Sequence, residues 1–297
     1  MNDKISQIER GERGSWISII AYVSLSILKL LIGYLFNSKA LIADGLNNTT
    51  DIIGSIAVLV GFKIAKIPPD KDHTYGHLRA ETIASMVTSF IMFVVGIDVL
   101  YNSVRNLFSP KIETPQMITA WVALFSALVM LLVYRYNIKL AEKIQSDGLK
   151  AVALDNRSDA FVSIGASVGI IGAQFNLPWL DPLAAFGVGV IIIKTAWEIF
   201  TESSHNLSDG FEYERLNHMK ITVKTIKEVK IVKDIKARKQ GSIAIVDVTI
   251  GVRPTLNVVE SHEITEIIEK RLMKEFPDVQ RVHVHVEPIE VSTSDPT

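Results

Sequence analysis

The chain has 297 residues, 48% of them hydrophobic and 21% charged, with a formal net charge of −1. That is too apolar for an ordinary soluble protein and too charged for one wholly embedded in lipid, so a membrane part followed by a soluble part is expected. The near-zero charge argues against a nucleic-acid or anionic-surface binder, and the lack of cysteine removes disulfides and thiolate metal chemistry.

The first residues, MNDKISQIERGERGS, are polar and mixed in charge. No short apolar core with a cleavage site follows, so they read as a cytoplasmic tail over 1–14 and not as a signal peptide. A transmembrane domain is expected over 15–208, with apolar segments at roughly 15–36, 40–63, 81–107, 116–138, 147–172 and 179–203. Each holds about 20 or more residues, enough at 1.5 Å per residue to cross a ~30 Å hydrocarbon core.

Loop charges set the orientation. Lys4, Arg10 and Arg13 precede the first span; Lys63, Lys66, Lys71 and Arg79 follow the second; Arg135, Lys139, Lys143 and Lys150 follow the fourth. The opposite loops hold only Lys39, Arg105 and Lys111. Eleven basic residues against three place the N-terminus and the soluble C-terminal part in the cytoplasm. Trp16, Trp121, Trp179 and Trp197 fall near span ends, as interfacial anchors do.

From about residue 209 the pattern changes. FEYERLNHMKITVKTIKEV reads as an amphipathic helix, and VKIVKDIKARKQ and SIAIVDVTIGV as two strands hinged at Gly241. Asn257 to Phe276 reads as a second helix and QRVHVHVEPI as a third strand. The αββαβ order predicts a small ferredoxin-like α+β domain over 209–290, with a disordered tail at 291–297.

The second span opens LIADGLNNTTDI, which places carboxylates and amides where water is scarce. Asn47 and Asp51 are four residues apart and share a helix face; Asp155 and Asp159 in the fifth span repeat that spacing. At the standard rise the first pair lies about 10–17 Å from the outer end and the second about 12–18 Å from the inner end. Both therefore come near mid-membrane, where ionisable residues are costly unless partnered. Three carboxylates and one amide make an oxygen cage for a divalent cation. The alternative, that these residues cap or bond neighbouring helices, suits a lone Asp better than two equally spaced pairs at matching depth. Asp44 lies nearer the outer mouth and reads as wet. Asn156 and Arg157 lie off the cage face and are assigned to contacts with other helices.

Other charged positions read less sharply. Asp70, His73 and His77 have spacings that suit a metal, but also suit a helix cap or solvated side chains. Lys29 and Asp98 lie at similar depth and suggest an intramembrane ion pair. Gly165 and Gly169 give the fifth span a small-xxx-small face for helix packing. In the soluble part, His262 sits on the second helix, and His285 and Glu287 share a face of the last strand, with His283 of the same parity. They are either metal ligands or solvated side chains.

LIADGLNNTTDI, DHTYGHLRAE, DNRSDAFVS, the register around SHEI, and HVHVEP together resemble the cation diffusion facilitators over nearly the whole chain. The resemblance implies a homodimeric metal/proton antiporter of the cell membrane, with six spans and a metallochaperone-like cytoplasmic domain that dimerises and senses metal. It places the transport site on Asn47, Asp51, Asp155 and Asp159, a secondary site in the loop of Asp70, His73 and His77, and further ligands at His262, His285 and Glu287. Lys233 and Thr249 stand where zinc members carry ligands, with Asp247 as a substitute. Relatives also imply a structural Arg79–Asp209 pair that interlocks the protomers.

Zinc members place histidine in the transport cage, and this chain has none there. An all-oxygen set suits Mn²⁺, as in the bacterial manganese-exporting branch, ahead of Zn²⁺, Fe²⁺ or Co²⁺. Crowded carboxylates in poor solvent suggest exchange of metal for protons. The expected partners are a second copy, the bilayer, divalent cations and protons, with no nucleic acid; metal is cargo and regulator, and no prosthetic group is expected. A membrane-anchored sensor would need an output module, and none is visible. A closed cage suits alternating access better than a channel. No nucleophile elbow, P-loop or cysteine–histidine pairing suggests an enzyme.

Overall fold

The structure is a computed structural model that describes residues 2–36, 39–107, 116–175 and 180–289. It divides into two units, the boundary falling after Ser204.

The first unit is built from long helices: α1 (Asn2–Leu35), α2 (Lys39–Ala65), α3 (Arg79–Leu107), α4 (Met117–Ile144), α5 (Asp147–Gln174) and α6 (Leu180–Leu207). α1, α2, α5 and α4 form a ring in which each packs on the next, with α1 also touching α5 across it. α3 lies outside, against α2 and α5. α6 lies against α3, where Gly96 faces Ile193 and Gly189 faces Leu100.

Burial in this unit is inverted relative to a water-soluble bundle. Ile20, Ile27, Ile53, Ile56, Phe90, Val94, Trp121, Phe125 and Leu128 face outward, while serines, asparagines and carboxylates are enclosed. That is the arrangement a lipid solvent requires. Among the described residues four helices are long and apolar enough to cross a membrane, over Ile8–Leu35, Asn47–Ala65, Arg79–Arg105 and Met117–Ile144. α5 is closely enclosed: between Ser146 and Ala160 only Lys150 and Arg157 escape full burial.

α1 begins at Asn2, so the stretch expected as a tail over 1–14 is helical and continuous with the first span. Its start is held by packing. Ile8 is buried with Val58, Phe62, Ala141, Leu149 and Val152. Lys66 also pairs with Glu12 at 2.9 Å.

The second unit has α7 (Tyr213–Lys224), β1 (Ile231–Gln240), β2 (Ile243–Val252), α8 (Val258–Glu275) and β3 (Val279–Pro288). β2 is central, antiparallel to β1 and parallel to β3. The β1–β2 hairpin turns on Gly241 at φ 60, while Ser242 keeps a negative φ, the requirement of a type II′ turn. α8 starts at a capping box in which Asn257 and Glu260 satisfy each other's backbone N–H groups. Met219, Val223, Ile264, Ile268 and Leu272 cover one sheet face, packing on Val246, Val248, Ile250 and Val282. The tail 291–297 lies outside the described residues.

Glycines set the α2–α3 spacing unequally. A Cβ at Gly61 would stand 2.6 Å from the Ala84 Cβ, whereas one at Gly54 would meet Thr88 at 3.5 Å, an ordinary contact. Gly61→Ala is therefore expected to cost about 1–3 kcal/mol of overpacking strain, while Gly54→Ala is tolerated. Thermal unfolding of the two purified variants checks this, and equal midpoints would contradict the close approach.

Candidate metal site

Three of the four ring helices, α1, α2 and α5, carry a polar stripe at helical spacing. On α1 it is Ser15, Ser18, Tyr22, Ser26 and Lys29; on α2, Asp44, Asn48, Asp51 and Ser55; on α5, Asp155, Asp159, Ser163 and Ser167. All of these residues are buried. With lipid outside, these faces have nowhere to turn but inward, so the ring brings them together.

At the middle of the stripes Asp51 from α2 meets Asp155 and Asp159 from α5, each offering a carboxylate oxygen within 4.8 Å of the others. The three are 6%, 5% and 3% exposed. Asn47, half-buried on α2, donates its amide nitrogen to Asp51 Oδ2 at 3.2 Å and to Asp159 Oδ1 at 3.3 Å. Presenting the amide oxygen to a cation takes a half-turn of that amide. A cavity reaches the cluster, lined also by Thr88, Ile91, Met92, Ser158 and Ile192.

Tyr22 was missed in the sequence. Fully buried on α1, it donates its hydroxyl toward Asp155 Oδ2 at 3.2 Å and Asp159 Oδ2 at 2.5 Å, and accepts from Asn156 Nδ2 at 2.9 Å. Asn156 in turn accepts from Ser18 and Asn137. The signal was the α1 polar stripe itself, whose spacings of three and four place Tyr22 on the enclosed face.

Two expectations about charge are corrected. Lys29 pairs with Asp44, at 2.8 Å with side chains 0% and 2% exposed, and not with Asp98. Ser163 and the Asn48 amide oxygen complete the ammonium's surroundings at 3.0 and 3.4 Å. Equal depth misled: α1 packs on α2, α4 and α5, whereas Asp98 is on an exposed face of α3, where Asn102 donates to it. Asp44 is accordingly enclosed and ion-paired, not wet.

Glu81, unassigned from sequence, is buried at the start of α3 and accepts from Ser146 Oγ and the Gly148 N–H, capping α5. Arg157 lies off the cluster as expected, beside the Tyr134 ring and 4.0 Å from Glu198.

The profile of the cation efflux transmembrane domain matches residues 15–208, and that of the dimer-forming cytoplasmic domain of cation efflux proteins matches residues 212–289. The chain belongs to the cation diffusion facilitator family. The manganese efflux system protein MneS of Bacillus subtilis (strain 168) is 54% identical over 288 residues, covering 97% of this chain and 99% of that protein. The manganese efflux system protein MneP of the same organism is 29% identical over 280 residues, covering 92% and 94%. A solved MamM-CTD chain is 25% identical, covers 27% of this chain and 100% of its own, and superposes with a TM-score of 0.26. Membership makes the chain a multi-pass cation efflux transporter and not an enzyme, with metal as cargo and no prosthetic group.

The loop residues named for a second site come together. Asp70, His73 and His77 hold ligand atoms within 4.8 Å of one another in an exposed turn. The backbone N–H of His73 donates to Asp70 at 2.6 Å and holds its carboxyl below the usual range. The two imidazole rings lie 4.4 Å apart.

Of the residues named in the second unit, His285 and Glu287 meet at 3.4 Å, but Asp247 and His262 do not join them in one metal-ligand group among the described residues. Asp247, His285 and Glu287 alternate out of the core onto the open sheet face, while His262 is on α8, across the sheet. Lys233 donates to Glu287 and holds its carboxyl below the usual range. His262 instead lies 3.7 Å from Glu266. Of the other expected pair, Arg79 opens α3 and Asp209 follows α6 with a left-handed φ of 61.

Lys29→Met would strand Asp44 without its cation and is expected to cost about 3–5 kcal/mol, read as a lower thermal unfolding midpoint. Removing both charges in Lys29→Met with Asp44→Leu should recover most of that loss. A single variant as stable as the parent would mean that the pair contributes nothing.

Proposed function

We propose that this family member exports a divalent metal cation, Mn²⁺ foremost, from the cytoplasm in exchange for protons, using Asn47, Asp51, Asp155 and Asp159 as its transport site. The observation that carries the reading is three enclosed carboxylates from two helices with oxygens within 4.8 Å. Such a cluster is sustained in a lipid-surrounded interior only when a divalent cation or protons balance its charge. Trading one for the other is antiport.

The choice of metal rests on donor chemistry and on likeness. All four donors are oxygens, which suit Mn²⁺ better than the imidazole-preferring Zn²⁺. MneS, 54% identical, is a manganese efflux protein. We further propose a homodimer in the cell membrane with both termini in the cytoplasm, on the matched dimer-forming domain and the eleven-to-three bias of basic loop residues. Asp70, His73 and His77 are proposed as an accessory cytoplasmic metal site, because their donors already converge.

Metal uptake into everted membrane vesicles under an imposed proton gradient tests this. Saturable Mn²⁺ uptake is expected, falling to background in Asp155→Ala while the protein remains folded and inserted. Uptake of Zn²⁺ in place of Mn²⁺ would leave the antiport and change the cargo. Uptake that survives in Asp155→Ala would overturn the site.

A further inference from the structure

Two of the three carboxylates, Asp155 and Asp159, each have one oxygen engaged from α1. Tyr22 Oη lies 3.2 Å from Asp155 Oδ2 and 2.5 Å from Asp159 Oδ2, so one hydroxyl spans one oxygen of each aspartate. Its orientation is not free. Asn156 donates to the phenol oxygen at 2.9 Å, and the Asn156 oxygen is in turn held by Ser18 at 2.9 Å and Asn137 at 3.2 Å. The O–H therefore has one direction left, toward the aspartates. Asp159 Oδ1 faces the other way, toward Asn47 on α2.

We infer that Tyr22 is a specificity-determining positioning residue, which withholds the Oδ2 atoms of Asp155 and Asp159 and so limits each to a single oxygen for the transported cation. The inference rests on the carboxylate cluster being the transport site. Its consequence is discrimination by coordination number. Ca²⁺ takes six to eight oxygens and commonly uses both oxygens of a carboxylate. A cluster whose α5 carboxylates are held to one oxygen apiece falls short of the seven or eight oxygens that Ca²⁺ can take, whereas Mn²⁺ is satisfied by six, waters included. Tyr22 touches no cation in this account; it orients the groups that do, as hydrogen-bonded outer partners do at other metal centres.

The test is equilibrium binding of Mn²⁺ to purified full-length protein, followed by the electron paramagnetic resonance of free Mn²⁺, with Ca²⁺ titrated as competitor. Asp155→Ala supplies the background from every other site, the exposed loop included. Against that background, Tyr22→Phe keeps the ring and removes the donor. The Ca²⁺ concentration that displaces half of the Mn²⁺ is expected to fall about tenfold. Ser26→Ala, which loses a bond from α1 to the Gly45 carbonyl without touching a carboxylate, reports general loosening and is expected to keep the parent's ratio.

A Tyr22→Phe protein with the parent's Ca²⁺ competition overturns the inference. So does an equal fall in Ser26→Ala, which would make the effect one of packing. So does complete loss of Mn²⁺ binding in folded Tyr22→Phe, since the phenol would then be a required ligand and not an orienting one. Failure of the underlying site reading looks different: parent and Asp155→Ala would bind Mn²⁺ identically.

Discussion

Everything in the first unit follows from the want of water around it. A soluble bundle hides apolar stripes and wets polar ones; here the solvent on the outside is hydrocarbon, and the rule reverses. Four neighbouring helices in a ring, three of them carrying a buried polar stripe, have one shared interior in which to place those stripes. Once inside, the polar groups must satisfy one another, because an unpaired group there costs far more than it would at a wetted surface. The carboxylate cluster, the Lys29–Asp44 pair and the Asn137–Ser18–Asn156–Tyr22 chain are three answers to that one requirement.

The answers differ in how they are balanced. Lys29 and Asp44 neutralise each other with groups the chain already owns, and neighbouring polar side chains complete the arrangement. The Asn and Ser chain is neutral and needs no counter-charge. Among the described residues no lysine or arginine forms an ion pair with Asp51, Asp155 or Asp159, and Lys29 is engaged with Asp44. Of the three it is the one that must borrow charge from outside, and that need is the ground on which the transport site is proposed there.

The cluster was legible because Asn47/Asp51 and Asp155/Asp159 repeat one spacing in two segments that ought to be apolar; periodicity alone puts each pair on a face. What periodicity cannot supply is which faces meet. Lys29 and Asp98 matched in depth, but depth is one coordinate of three, and helix packing chose Asp44 instead. Tyr22 was overlooked because a tyrosine in an apolar run reads as a lipid-side residue until its neighbours Ser18, Ser26 and Lys29 are placed on the same face. In the soluble unit the order of elements was plain from Gly241, the Asn257 cap and short loops. The grouping of His262 with His285 was not, since sequence shows which face a residue takes on its own element and not which layer of the sandwich that element joins. The first helix runs back through the polar start, where Ile8 finds apolar partners, and no apolar periodicity over 1–14 announces that.

That continuous first helix has a mechanical corollary. Tyr22 and Lys29 are seven residues apart on one rigid rod, about 10 Å along its axis and nearly in line. A rigid rotation of α1 about its axis that swings the phenol away from Asp155 and Asp159 would therefore carry the ammonium away from Asp44 by a similar arc.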